Sequence, residues 1–437
     1  MTSSESLRIG RYTFGVRHLC AAAVVLIAGA TSLRAQTSGL PMEQASGTAR
    51  NPDAAPMSML MTSAGKWTLA LHAQAFLNRA NDSGPRGGEK TFSTNWVMGT
   101  ASRSLGGGTL AFRTMLSLEP ATISQRKYPE LFQTGETAFG KQLIDGQHPH
   151  DFFMELAAEY LHPIGHATGY LYLAPVGDPA IGPVAFPHRD SAMELPQAPI
   201  GHHFEDSTHI AYNVITAGVI KGPVTLEASA FHGGEPDERR WNVEGGRIDS
   251  WAARLRIRPA RSLDFQVSHA WLTKPERIEP GYATRTTASL SYALQRSALG
   301  WSSTVVWGHV YKEVHDRELN AWLVESNLRL FSRNHLTVRA ESAGKDELFP
   351  HPILTVVPRP ALPVRVFLIK AYTVGYTLDL VQTAGSTTGI GANVTRYAFP
   401  AILSGFYSPH PHSVVAYLRF RLGAGKPDGQ HSMNMPM

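Results

Sequence analysis

Cysteine is all but absent. Of 437 residues only Cys20 is one, and it follows Arg17-His18-Leu19, which lacks the small residues of a lipoprotein cleavage box. If the segment around it is removed, the remaining chain has neither thiol nor disulfide. Charge is scarce too: 17% of residues are Asp, Glu, Lys or Arg, against roughly 25% in soluble domains. With 43% hydrophobic and 9% aromatic residues, the chain is nonetheless too apolar to be disordered. No stretch beyond the N-terminus reaches the eighteen apolar residues of a transmembrane helix. Also missing are G-x-S-x-G, a phosphate loop and H-E-x-x-H, the usual signatures of serine hydrolases, NTPases and zinc peptidases.

What the N-terminus does have is Arg8, Arg11 and Arg17, an uncharged apolar run from Leu19 to Ala30, and small residues ending at Ala30 or Ala35. Twelve apolar residues behind a basic flank read as a secretory signal peptide over 1–35. Without its four arginines and one glutamate, 36 basic residues face 34 acidic ones, and the net charge falls from +5 to +2. The basic balance belongs largely to the leader, so no nucleic-acid partner is inferred. Residues 36–66 are expected to be a flexible periplasmic segment. An exported chain without a membrane helix is periplasmic, secreted or an outer-membrane barrel.

The order of residues favours the barrel. In Trp251 to Arg258, Trp251, Ala253, Leu255 and Ile257 share one face of a strand, and Arg254, Arg256 and Arg258 share the other. A helix would scatter those arginines around its circumference. Residues 413–422 repeat the pattern, with Val414, Ala416, Leu418, Phe420 and Leu422 opposite Tyr417, Arg419 and Arg421. Segments 223–232 and 284–295 do the same. About ten residues with one apolar and one polar face is what a tilted strand needs to cross hydrocarbon.

Sixteen such segments are predicted: 67–77, 92–104, 109–118, 152–161, 168–174, 209–220, 223–232, 249–258, 263–272, 284–295, 301–312, 319–331, 335–342, 366–380, 387–399 and 413–422. Short turns, as at Gly106-Gly107-Gly108 and Lys221-Gly222, alternate with mostly longer links, among them 119–151, 175–208, 233–248, 343–365 and 400–412. Segment 152–161 is ambiguous, because Glu155 and Glu159 are also one helical turn apart amid helix-favouring residues. An even strand count with loops sorted by length fits an all-β, transmembrane antiparallel barrel with long external loops, short periplasmic turns and both termini periplasmic. Over 67–422 the chain resembles the bacterial outer-membrane porin-like barrels. That resemblance implies contacts with outer-membrane lipid and lipopolysaccharide, recognition by the barrel-insertion machinery and a homotrimer. Such barrels commonly end on an aromatic residue, which Phe420 nearly supplies, although Leu422 and a tail, 423–437, follow. Trp67, Tyr160, Trp251, Trp271, Trp301, Tyr311 and Tyr372 fall near strand ends, as two interfacial girdles require.

The polar faces carry the candidate pore lining: Arg113, Arg254, Arg256, Arg258, Arg285, Arg329, Arg339, Arg419 and Arg421 with Glu227, Glu325 and Glu341. Facing rows of opposite charge across a wet lumen would select solutes by size and charge. They could equally pair across strands and close a narrow barrel. Loops 119–151 and 175–208 are too long for plain connections. The second has six prolines among Val176, Ile181, Val184 and Phe186, which argues for a packed loop, either a constriction in the barrel mouth or a compact external cap.

Histidine is concentrated in those loops. His148, His150 and Asp151, with His202, His203 and Glu205, are candidate ligands for a divalent ion, since an H-x-H spacing in extended chain puts both imidazoles on one side. Methionine gathers in the flanks, at Met57, Met59 and Met61 and again in His431, Met433, Met435 and Met437. Clustered thioethers suit Cu(I) or Ag(I). Over about seven residues at each end the spacing is similar to the methionine-rich segments of copper-handling periplasmic and outer-membrane proteins, which implies copper binding. Ser191 near His188, and His269 beside Ser268, are the only hints of a nucleophile and base, and neighbours on a strand point oppositely. The sequence therefore reads as a non-enzymatic outer-membrane channel for small hydrophilic solutes or metal ions, needing no cofactor and linked to metal homeostasis. The alternative is a closed barrel acting as adhesin, assembly factor or lipid-modifying enzyme.

Overall fold

A computed structural model describes residues 45–56, 58–277, 280–350 and 365–423. The proposed signal peptide, Met57 and the C-terminal tail lie outside these residues. In chain order the strands are β1 (Leu60–Ala64), β2 (Trp67–Asp82), β3 (Glu89–Leu105), β4 (Gly108–Leu116), β5 (Tyr128–Ala138), β6 (Lys141–Gln147), β7 (Phe153–Ile164), β8 (Ala167–Gly177), β9 (Ala211–Lys221) and β10 (Val224–His232). They continue as β11 (Ser250–Ala260), β12 (Leu263–Thr273), β13 (Tyr282–Gln295), β14 (Leu299–Lys312), β15 (Arg317–Leu330), β16 (Asn334–Lys345), β17 (Phe367–Gln382), β18 (Ser386–Ala398) and β19 (His412–Leu422).

Sixteen of these close an antiparallel barrel, each pairing with its chain neighbour except where β4 meets β7 across the β5–β6 hairpin. The ring shuts where β19 pairs with β2, from Ser413 opposite Asp82 to Leu422 opposite Ala73. β1 folds back on the same edge of β2, Ala64 facing Trp67, and so extends the wall below the end of β19. Closure gives each of the sixteen barrel strands two partners, so the wall they form has no free edge. No helix among the described residues is long and apolar enough to cross a membrane.

The period-two pattern fixes which face looks out. Val338, Val374, Val394 and Val414 stand opposite one another across four strands and are all exposed on the outer wall. One residue along, Arg339, Thr373, Thr395 and Ser413 form the matching inward row, and all four are buried. The molecule is thus inverted relative to a soluble protein, apolar outside and polar within. Trp251, Trp301 and Tyr372 are exposed on the outer wall.

The ambiguous segment is the strand β7. It pairs with β4 on one side and β8 on the other, with Glu155 and Glu159 turned inward beside Arg113 at 3.4 and 3.6 Å. Sheet closure overrides local helix propensity, since a helix here would leave the ladder groups of β4 and β8 unpaired. The long loops gather at one end of the barrel and share an apolar core. Leu131 and Phe132 of the hairpin pack there with Ile200, Phe204, Leu348, Leu403 and Tyr407.

Candidate functional site

Every predicted pore-lining residue faces the interior or its rim. Arg113, Arg254, Arg256, Arg285, Arg339, Arg419, Glu227, Glu325 and Glu341 are buried, while Arg258, Arg329 and Arg421 are half-buried. Cross-strand pairing explains part of this burial. Glu227 and Arg254 are register partners and form an ion pair of 2.9 Å, and Glu325 accepts from Arg339 at 3.0 Å. Most of the remaining partners come from two segments that are not part of the wall.

The first is loop 175–208, which runs among inward side chains of β2, β10, β11, β12, β14, β15, β16 and β19. Its Ala180 and Gly182 amides donate to Ser229 (2.7 Å) and Ser268 (2.8 Å). Arg189 reaches Glu325 at 2.5 Å, Ser191 donates to Glu325 at 2.9 Å, and the Ile200 amide donates to Glu341 at 2.6 Å. Glu194 sits against Arg419, Arg421 and His335, and Gln74 and Arg421 both donate to the Met193 carbonyl.

The second is 45–53. Arg113 donates to the Ala45 and Gly47 carbonyls (2.9 and 2.7 Å), Gly47 N–H to Glu155 (3.2 Å), and Thr48 bonds Glu227 and Arg254. Arg256 donates to the Thr48 carbonyl and Arg258 pairs with Asp53 at 2.5 Å. The two segments also meet, Ser46 bonding Asp178 at 2.7 Å and Asn51 bonding the His188 carbonyl at 2.9 Å. Residues 45–50, part of the segment 36–66 expected to be flexible, are buried throughout. Small residues there, Ala-Ser-Gly-Thr-Ala, let the backbone come close enough to add hydrogen bonds to charges that also pair across the wall.

No family model matches this chain, and no curated protein matches its sequence. Among solved structures, the anion-selective porin from Comamonas acidovorans superposes with a TM-score of 0.51 at 9% identity, covering 82% of this chain and 99% of that one. OmpF of Salmonella typhi, solved in complex with daunomycin, gives a TM-score of 0.50 at 9% identity, covering 83% of this chain and all of that one. The fold is that of the bacterial outer-membrane porins.

On this porin fold five loop histidines, His148, His150, His202, His203 and His209, are drawn into one buried group at the long-loop end. Phe186 packs against the rings of His150, His202 and His209 at 5.2–6.5 Å between centroids, and His203 lies edge-on to His202 (5.3 Å) and His148 (6.0 Å). Four of these rings are engaged by the protein itself. His148 meets Glu136 at 2.9 Å, His150 meets Glu119 at 3.0 Å, His202 meets Asp206 at 2.6 Å, and His209 meets the Asp206 carbonyl at 2.7 Å. Asp151 faces Arg240 at 3.7 Å. Burial pushes the Asp151 carboxyl up to about 7 even so. Burial also opposes ionisation of Glu136, but Arg240 and His148 outweigh it and hold that carboxyl below its ordinary range.

Consequently His148, His150, Asp151, His202, His203 and Glu205 share a region without converging on one point. The convergent triple among the described residues is a different one, His203 with Glu235 and Glu276. Sequence reasoning had no signal for it, because the two glutamates lie in separate loops and follow no motif. Met59 and Met61 are described, Met61 exposed on β1, whereas Met57, His431, Met433, Met435 and Met437 lie outside the described residues. Ser191 is bonded to Thr304 and Glu325, and Ser268 to Thr287 and Gly182, while His269 turns outward to Thr286. Neither serine has the histidine partner that a nucleophile needs.

Proposed function

We propose that this chain is a non-enzymatic outer-membrane channel for small hydrophilic solutes or ions, with its termini in the periplasm and its lumen narrowed by loop 175–208 and residues 45–53. The observation that carries the reading is the inverted distribution of side chains on a closed barrel. An apolar outer wall suits lipid, and an interior lined by alternating arginine and glutamate suits water and charged solutes. Contacts with lipopolysaccharide, handling by the insertion machinery and assembly as a trimer belong to the same proposal. Single-channel conductance in a planar bilayer tests it, comparing the refolded protein with a variant lacking 178–200. The expected result is small or rare steps in the wild type and large ones after deletion. Silence in both, from protein whose heat-modifiable gel mobility shows a folded barrel, would overturn the reading.

A second reading is favoured by one observation, the near-complete burial of Arg254, Glu227, Glu325 and Arg419 at 1–2% exposure or less. Charges so deeply buried in ion pairs serve a closed barrel equally well, one that works as an adhesin, assembly factor or lipid-modifying enzyme through its loops or rim. Separately, Met57, Met59, Met61, Met433, Met435 and Met437 would capture Cu(I), linking the protein to copper homeostasis. Calorimetric titration of peptides spanning both flanks under reducing conditions tests this, and heat equal to that of Met→Leu controls would sink it.

A further inference from the structure

We propose that His203, Glu235 and Glu276 form a binding site for a hard or borderline divalent cation, with zinc as its representative, which ties three long loops together over the barrel. One ligand atom from each residue lies within 4.8 Å of the other two. The residues come from loop 175–208, from the β10–β11 connection and from the β12–β13 connection, so no local backbone preference accounts for the convergence. The last two segments are pinned by a backbone bond, Glu235 N–H to the Pro275 carbonyl at 2.9 Å, which brings Glu276 alongside Glu235.

The imidazole supplies the second, independent observation. His203 is 8% exposed, and neither of its ring nitrogens has a hydrogen-bond partner. Its nearest carboxylate contact, Nδ1 to Glu235, is 3.9 Å, too long for a hydrogen bond and reasonable for two groups facing a common ion. Glu235 Oε2 is likewise buried without a partner, while the Oε1 that faces His203 accepts a long 3.5 Å hydrogen bond from Ser207. His188, in the same loop, is also without a hydrogen-bond partner on its ring, but the neighbouring His148, His150, His202 and His209 find carboxylates or carbonyls, so among the five clustered rings His203 is the exception. Its ring is held in place by contact, because a side chain at Gly135 would begin 2.4 Å from its Cε1.

One neutral imidazole and two carboxylates, with a water in the fourth position, is a donor set for zinc and its first-row neighbours. It contains no sulfur and so does not select Cu(I), which separates it from the methionine flanks. Arg285 faces both glutamates and bonds Ser207 at 3.0 Å, so the carboxylate pair sits in a polar surround that other charges share.

The test uses the full-length barrel refolded in detergent, stripped with a chelator and titrated with Zn²⁺ against a chromophoric competitor. Wild type should show one tight equivalent that weakens at least tenfold in His203→Gln and in Glu276→Gln. Sites elsewhere in the chain are common to all three proteins and cancel in the comparison. Zn²⁺ should also slow proteolysis within 233–249 in the wild type and not in Glu276→Gln. Glu276 is only half-buried, so this variant keeps the test open even if His203→Gln misfolds. An unchanged tight equivalent in folded Glu276→Gln, or proteolysis indifferent to Zn²⁺ in the wild type, would overturn the proposal.

Discussion

Arg254 and Glu227 are among the least exposed side chains of the molecule, yet both are charged. Their ion pair is completed by Thr48, which touches both. Such a pair contributes little net stability against an apolar replacement, but removing one partner strands the other in a poorly solvated interior, at a cost of about 3–5 kcal/mol. Glu227→Ala should therefore lower the unfolding free energy in detergent by roughly that much, and Glu227→Leu with Arg254→Leu by clearly less. Equal losses in the single and double variants would show that solvent, not pairing, satisfies Arg254. Half of this arrangement is legible in the sequence: alternation turns both residues inward. Thr48 is not, because it stands 179 positions from Glu227 and lies in a stretch with no periodicity at all.

At the level of elements, the strands announce themselves and the fillers of the lumen do not. A strand carries its own evidence in every second residue, so even the helix-like β7 can be placed once its neighbours are known. Segment 45–53 carries none, since its role depends on carbonyls and amides that every residue has. Loop 175–208 reads from its prolines as packed, while the surface it packs against depends on charges from many strands at once. Gly47 gives a direct handle on the first. It has φ +57°, and a Cβ there would meet the Asp178 carbonyl oxygen at 2.3 Å. Gly47→Ala is expected to expel the segment without disturbing the barrel ladder, seen as faster proteolytic cleavage near 45–53 with unchanged heat-modifiable mobility. For the loop, Glu194→Gln removes the carboxylate that Arg419, Arg421 and His335 share. Faster amide exchange across 186–200 should result, together with longer open times if the barrel conducts.

For the molecule as a whole, the inverted pattern makes a claim about depth as well as about direction. If the outer wall faces hydrocarbon, the cost of a charge there must vary along a strand, being largest at mid-height and small near the ends, whereas in water it would be uniform. β17 offers both positions on one face: Val374 near its middle, 63% exposed among the valine row, and Val381 one residue from its end, 54% exposed. In a bilayer, arginine at the midplane costs about 2–4 kcal/mol and near the interface about 0–1 kcal/mol. Val374→Arg should accordingly destabilise the barrel refolded into lipid vesicles by several times more than Val381→Arg, measured by reversible denaturant titration. Both positions are comparably exposed and both substitutions add the same side chain, so only the thickness of an apolar slab distinguishes them. Equal costs would mean that the wall does not sit in a membrane at this height, and the proposed channel would lose its setting.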